Sequence, residues 1–426
     1  MERSNFIFSK MKQCLAFLLV AVVMMSWLPI GAMAKEQSKI TFPDKLLNKK
    51  KTEQQNETGN QADLSLSCES AVLMEPITGK VLYEKNKDKQ LRPASVTKVM
   101  TLLLIMEAID KGKFTYEDTV SVSAHAASMG GSQVFLEEGE TQTVRDMLKC
   151  IVISSANDAC VAMAEYVSGS EEAFVAAMNE RAKELGMANT NFVNACGLDA
   201  DGHLTTAYDI ALMSRELTRK HKDIFEFTTI WMDTITHTTA KGSSEFGLSN
   251  TNKLIKQYNG ATGLKTGSTS LAKFCLAATA TRDNMDMLAV VMACPDSKVR
   301  TKEASKLLDY GFANCSVYED KQVIEKPLTM KVECGKKDSV AVLPKENFQY
   351  VFTNGGNSGK ITKRLKVKKK VTAPVKKGDK VGSATYYLDK EKLGSVDLVA
   401  ATPVKRWDFM HCFKQIGLFY LLGHET

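Results

Sequence analysis

The stretch SVTKVMTLLLIMEAI, Ser95–Ile109, decides the fold class of this chain. It is apolar almost all round, which is the pattern of a helix buried in the middle of a domain rather than laid on its surface. Such a helix needs cover on every side, and its flanks supply it. Upstream, Ala71–Met74 and Val81–Tyr83 flank Pro76-Ile77-Thr78-Gly79-Lys80, a hairpin pattern with a Gly-containing turn. Downstream, helical patterns recur over Val144–Ile153, Asn157–Val167, Glu171–Leu185 and Thr206–Thr218. Two short runs rich in β-formers or apolar residues, Leu276–Thr281 and Met287–Met292, then read as strands returning to the sheet of the first hairpin. The sequence thus predicts a mixed α/β domain whose terminal strands enclose a helical middle.

The 426 residues leave room for more than this domain. After Tyr318 the texture shifts to short alternating stretches such as Thr329–Val332 and Leu365–Val367, punctuated by Gly and Pro, which predicts a small all-β domain. Residues 319–400 hold eighteen Lys or Arg against ten Asp or Glu, so this part carries the whole positive excess of a chain whose formal charge is +7. A basic balance can signal nucleic acid, but the N-terminus argues otherwise. Lys10 and Lys12 precede an apolar run from Cys14 to Leu28, and Ala32-Met33-Ala34 completes the layout of a secretory signal peptide. The run approaches the length of an uncleaved anchor, but Pro29 and Gly31 break it, so cleavage after Ala34 is expected. An exported protein meets anionic cell-wall polymer or lipid rather than nucleic acid. Residues 35–66 have a linker composition, and 404–426 form an amphipathic tail. In that tail Asp408, His411, Lys414 and Gln415 lie on one helical face, with Phe409, Cys412, Phe413, Ile416, Phe419 and Tyr420 on the other. The tail suits either a membrane surface or packing on its own protein. The expected organisation is therefore 1–34 signal peptide, 35–66 linker, 67–318 catalytic domain, 319–403 β-domain and 404–426 tail.

Ten cysteines leave nine once the signal is removed. The odd number argues against a fully paired disulfide framework, and most are expected to be small buried hydrophobes. No C-x-x-C pair, H-x-x-x-H pair or close Cys/His cluster stands in the sequence, so neither a metal nor another cofactor is expected.

Three short motifs occur in order: Ser95-Val96-Thr97-Lys98, Ser155-Ala156-Asn157 and Lys265-Thr266-Gly267. Each alone is weak, since Ser-x-x-Lys appears three times, at Ser9, Ser95 and Ser270. Read singly, Ser95 is a helix cap, Lys98 and Lys265 are solvated charges and Asn157 is a turn residue. Their joint order, with the first motif opening the buried helix, is what carries chemistry. A serine hydroxyl must hand its proton to a base within hydrogen-bond reach. Residues three apart on a helix face the same way, so Lys98 can lie beside Ser95 Oγ. A lysine is a base only when neutral, and burial, the positive helix end and a second cation at Lys265 would all depress its pKa. Ser155 can relay a proton to the leaving group and Asn157 can hold a substrate amide. Lys265-Thr266-Gly267-Ser268 suits an edge strand along which an acyl-peptide backbone can pair, the glycine leaving room for it.

At these residues the sequence resembles the low-molecular-mass penicillin-binding proteins of the D-alanyl-D-alanine carboxypeptidase type. The strings Arg92-Pro-Ala-Ser-Val-Thr-Lys-Val-Met-Thr101, Ser155-Ala-Asn-Asp-Ala159, Gly197-Leu-Asp199 with Gly202, and Gly263-Leu-Lys-Thr-Gly267 carry the resemblance, as does the domain order. It implies an α/β (α+β) β-lactamase/transpeptidase-like catalytic domain, then a small all-β domain and a C-terminal amphipathic helix. It also implies an acyl-enzyme on Ser95 that releases the last D-alanine of a peptidoglycan stem peptide, with β-lactam antibiotics as covalent inhibitors. By the same resemblance the backbone N–H groups of Ser95 and Ser268 form the oxyanion hole, Arg300 takes the terminal carboxylate, and the tail binds the outer face of the cell membrane. Two departures are small: Ala156 stands where many relatives have glycine, and Ser268 where histidine is common.

The rivals are distinguishable. A β-lactamase needs a glutamate to activate water, and no Glu-Pro-x-Leu-Asn-like loop lies between Asn157 and Lys265. A DD-endopeptidase of cross-links is excluded less firmly. A non-catalytic wall-binding protein would have no need of the Ser95/Lys98 pair.

Overall fold

The computed structural model describes residues 63–239, 242–320, 328–353 and 361–414. The segment read as a signal peptide, most of the linker and the tail beyond residue 414 lie outside the described residues.

Strands β1 (Ser70–Glu75) and β2 (Lys80–Lys85) form the expected hairpin. Two small antiparallel pairs follow, β3 (Thr119–Ser121) with β4 (Thr141–Thr143) and the hairpin of β5 (Met232–Thr239) with β6 (Gly242–Ser249). Then β7 (Ala261–Thr269), β8 (Lys273–Arg282) and β9 (Met285–Cys294) return to the first hairpin, completing an antiparallel sheet in the order β2-β1-β9-β8-β7. Helices cover both of its faces. Val72, Met74, Leu288, Val290 and Met292 enter one core with the helix Lys98–Asp110. Ala71, Leu73, Met287, Ala289 and Val291 enter the other with Ala304, Leu307 and Leu308 of the long helix Ser297–Asn314. Burial on both sides is why β9 reads as a continuous apolar run instead of an alternation.

The central helix differs in one respect from the expectation. It is fully buried through Val99, Met100, Leu102, Leu103 and Ile105, but it begins with a 3-10 turn, Ala94–Thr97, and is α-helical only from Lys98. Four of the longer helices start where side chains can take up orphan N–H groups. Thr143, Ser170, Thr206 and Asp296 each accept from a backbone N–H of the first turn, at the heads of Val144–Ile153, Glu171–Glu184, Ala207–Lys220 and Ser297–Asn314.

Beyond the long helix the described elements up to Ala400 are all strands. β10 (Cys315–Glu319) pairs with β13 (Gln349–Thr353), while β11 (Leu328–Glu333), β12 (Ser339–Pro344), β14 (Ile361–Val367), β15 (Lys370–Thr372), β16 (Lys380–Leu388) and β17 (Glu391–Ala400) form a sheet in the order β14-β16-β17-β12-β11-β15. Laid flat, six strands would hold β14 and β15 roughly 24 Å apart. Only Lys368 and Lys369 join them, a link that reaches at most about 11 Å. The sheet therefore curls enough to bring the end of β14 within that reach of the start of β15, around a core that includes Met330, Val342, Phe348, Ala384, Tyr386 and Leu398. Phe348 and Tyr386 stack at 3.8 Å inside it. The described part of the tail is helical from Phe409 to Lys414, with Phe409, Met410 and Phe413 exposed. Among the described residues no helix is long and apolar enough to cross a membrane.

Candidate active site

The 3-10 turn that replaces the first turn of the central helix sets the site. In 3-10 geometry residues i and i+3 eclipse one another, and Lys98 Nζ stands 3.0 Å from the half-buried Ser95 Oγ. The turn is gripped from two sides by glycines. A Cβ on Gly197 would lie 2.0 Å from the Ala94 carbonyl oxygen, and one on Gly267 would lie 2.8 Å from that of Pro93 and 2.9 Å from the nitrogens of Ser95 and Val96. The space that Gly267 leaves is thus filled by the chain's own turn, not kept open for a substrate, and it brings β7 hard against Ser95.

Lys98 Nζ makes two further contacts, 2.6 Å to Asn157 Oδ1 and 2.7 Å to the carbonyl of Cys196. Asn157 is itself locked: its Nδ2 donates to Gly130 O at 2.7 Å and its backbone N–H to Ser132 O at 2.7 Å. The Cys196 carbonyl is aimed by the turn after it, in which Asn194 Oδ1 accepts from the N–H groups of Gly197 and Leu198 at 2.7 and 3.1 Å. Lys265, on β7, donates to Ser155 Oγ at 2.8 Å and to Thr266 O at 3.2 Å. Ser155 holds a left-handed φ of 60 just before the helix Asn157–Ser168. Thr266 Oγ1 meets Thr251 Oγ1 at 2.7 Å.

Both lysines are buried, against the reading of solvated charges. Burial pushes the Lys98 ammonium below its ordinary range. Lys265 is held well below, by burial first and then by the charges of Lys98 and Arg300. Burial, not a helix end, is the leading influence, and the second-cation effect falls on Lys265. Arg300 is buried on the long helix, its Nη1 reaching Gly267 O at 3.3 Å and Cys275 O at 3.5 Å. β7 is an edge strand, and Ser268 on it is exposed.

Eight of the nine expected site residues therefore lie on β7, on the Ser95 turn and the helix it opens, or at the start of the helix Asn157–Ser168, and Arg300 reaches the backbone of β7 from the long helix. A model of the family described as D-alanyl-D-alanine carboxypeptidase matches residues 53–296. The chain belongs to the D-alanyl-D-alanine carboxypeptidase family. As a member it is a serine-type carboxypeptidase, and a second model, the C-terminal domain of penicillin-binding protein 5, matches residues 312–406. Among relatives, this carboxypeptidase is 41% identical over 408 residues to the D-alanyl-D-alanine carboxypeptidase DacF of Bacillus subtilis (strain 168), covering 95% of this chain and 98% of that one. It is 32% identical over 367 residues to DacC of Escherichia coli (strain K12), covering 81% and 88%. The crystal structure of penicillin binding protein 5 from Haemophilus influenzae superposes with a TM-score of 0.62 at 29% identity, over 80% of this chain and 98% of that one.

Sequence reading missed three parts of this carboxypeptidase's site. The Cys196 carbonyl is a backbone group with no residue-type signal, although Gly197-Leu-Asp199 marked its turn. The loop Gly130–Ser132 that fixes Asn157 carried no motif. His203, which belongs to none of the motifs, accepts from the Val193 N–H at Nδ1 (3.1 Å) and so donates from Nε2 to Thr97 Oγ1 at 2.9 Å, between Ser95 and Lys98. Burial, then the Arg92 charge, lowers its pKa to about 4 and keeps it neutral.

Proposed function

We propose that Ser95 attacks the carbonyl between the last two D-alanines of a peptidoglycan stem peptide, with Lys98 as the base. The observation that carries this reading is the valence of Lys98 Nζ. A neutral amine has two hydrogens and one lone pair; Asn157 Oδ1 and Cys196 O take the hydrogens, which leaves the lone pair for the Ser95 proton. The substrate strand lies along the open edge of β7. Its scissile oxygen sits between the N–H groups of Ser95 and Ser268, a donor pair of the kind worth roughly 3 kcal/mol per donor. The C–N bond breaks as Ser155, backed by Lys265, delivers a proton to the departing D-alanine nitrogen and is resupplied with the proton that Lys98 took from Ser95, which leaves Lys98 neutral again, and Asn157 holds the peptide. The cation of Arg300 behind β7 attracts the terminal carboxylate, with Thr266 at the strand wall. Water then adds to the Ser95 ester as Lys98 takes its proton, and Lys98 returns that proton to Ser95 Oγ as the ester bond breaks and the shortened peptide leaves. Penicillin acylates the same oxygen.

The N-terminal pattern supports export with removal of residues 1–34, and residues 35–66 serve as a spacer. The exposed Phe409, Met410 and Phe413 support a tail, residues 404–426, that rests in the outer face of the cell membrane. The test is release of D-alanine from a peptide ending in D-Ala-D-Ala. Release that vanishes with Ser95→Ala and with penicillin supports the reading; no release, with penicillin still bound to Ser95, shifts the substrate to cross-linked peptide; no adduct overturns it.

A further inference from the structure

On the face of the sheet turned away from Lys98, the structure gathers two thiols and a carboxylate that the reaction does not use. Cys68, just before β1, and Cys294, the last residue of β9, are both fully buried, and Glu303 is buried on the long helix one turn beyond Arg300. Their sulfur and oxygen atoms lie within 4.8 Å of one another. Glu303 accepts the backbone N–H of Ser67 through one oxygen and that of Cys68, at 3.0 Å, through the other. Those bonds hold the segment by which the chain enters the domain. Beyond them, Leu64 and Leu66 pack on the core, their carbonyls accept from Lys306 Nζ and, at 2.6 Å, Lys85 Nζ, and Glu69 N–H reaches Met292 O at 3.1 Å, contacts that keep a terminal segment from fraying.

We propose that Cys68 and Cys294 are joined as a disulfide in the exported protein, locking the N-terminal segment to the end of β9. This rests on the extracytoplasmic location, where such bonds persist. A closed metal site fits less well, since it wants four ligands; these three are the set found among the described residues, and both Glu303 oxygens are already engaged. The oxidant is a disulfide compound outside the cytoplasm. One cysteine thiolate attacks it, the second displaces the mixed disulfide, and the external disulfide leaves as two thiols carrying both electrons and protons. The exchange takes place before the segment docks, because in the folded protein the Cys68 thiol and burial hold the Cys294 thiol far above its ordinary range.

The full chain, made with its own N-terminal segment in a secreting bacterium, is quenched in acid, unfolded in urea with N-ethylmaleimide at near-neutral pH, digested and mapped by mass spectrometry. An impermeant maleimide on intact cells reports through the exposed Cys334 whether the protein is outside. The expected result is a Cys68–Cys294 linked peptide that parts on reduction. Reduction lowers Tm by on the order of 10 °C, a shift missing from the Cys68→Ser, Cys294→Ser double variant, whose D-alanine release at 25 °C is unchanged. Two alkylated cysteines in protein whose Cys334 is labelled from outside overturn the proposal, as does a stoichiometric metal at the pair. If Cys334 is not labelled, the location is what fails; the purified chain refolded with oxidised glutathione then decides, and two free thiols overturn the pairing.

Discussion

Lysine serves two opposite ends in the two halves of this molecule. In the catalytic domain Lys98 and Lys265 are buried, within reach of hydroxyls and carbonyls, and both are pushed toward the neutral form. In the β-domain Lys366, Lys368, Lys369, Lys376 and Lys377 stand in solvent, where the charge is cheap to keep and neighbouring charges are screened. Residue type therefore fixes neither role; desolvation does. A buried lysine is a functional group because the fold makes its charged state costly, while an exposed one sets the field around its domain.

The sharpest way to break this contrast is to remove the base. Lys98→Ala should lower kcat/KM for a D-Ala-D-Ala peptide by roughly 10³-fold, and penicillin acylation should slow with it; unchanged steady-state rates would end the distinction. In the wild type, kcat/KM should climb with pH as Lys98 gives up its proton, with an apparent pKa below the ordinary 10.5. The stability linkage has the same sign. Folded pKa values lie under the unfolded ones, so the contribution of both lysines is complete above about 10.5 and is lost as pH falls toward their folded values.

Next in size is Gly267→Ala, whose methyl group would press on the turn that carries Ser95. Denaturant melts should show a loss of roughly 1–3 kcal/mol, and turnover should fall about 10²-fold from misplacement of the nucleophile. A silent substitution would show that the turn is not gripped as described. Smaller is the effect of acid on His203. Its contribution is complete above about 6.5 and fades as pH drops to about 4, so Tm measured across that window should fall more steeply for the wild type than for His203→Gln. Smallest is the double change Lys368→Glu, Lys369→Glu, which should leave folding stability within about 0.5 kcal/mol and kcat unaltered.

The same contrast explains what could be read in advance. Strands β8 and β9 and the capped helices were legible because burial and capping leave marks on residue type: continuous apolar runs, and Thr143 or Thr206 ahead of a periodic segment. The three motifs were legible because the groups proposed for the chemistry are side chains. The hairpin β5–β6 was not, since its alternation rests on Thr and Ser more than on apolar residues. The 3-10 start of the central helix was not, because one turn of either helix type presents the same residues at i and i+3. Nor was the packing of Gly267 against Pro93 and Ser95, which depends on segments that only the finished sheet brings together.

The curled β-domain has one further consequence. Two lysines carry the chain from one rim of its sheet to the other, a single short stitch across the curl. Cutting the bond between Lys368 and Lys369 would remove no core residue and would leave β14 paired with β16 and β15 with β11, yet it would give each rim strand a free chain end, and free ends are where a domain frays first.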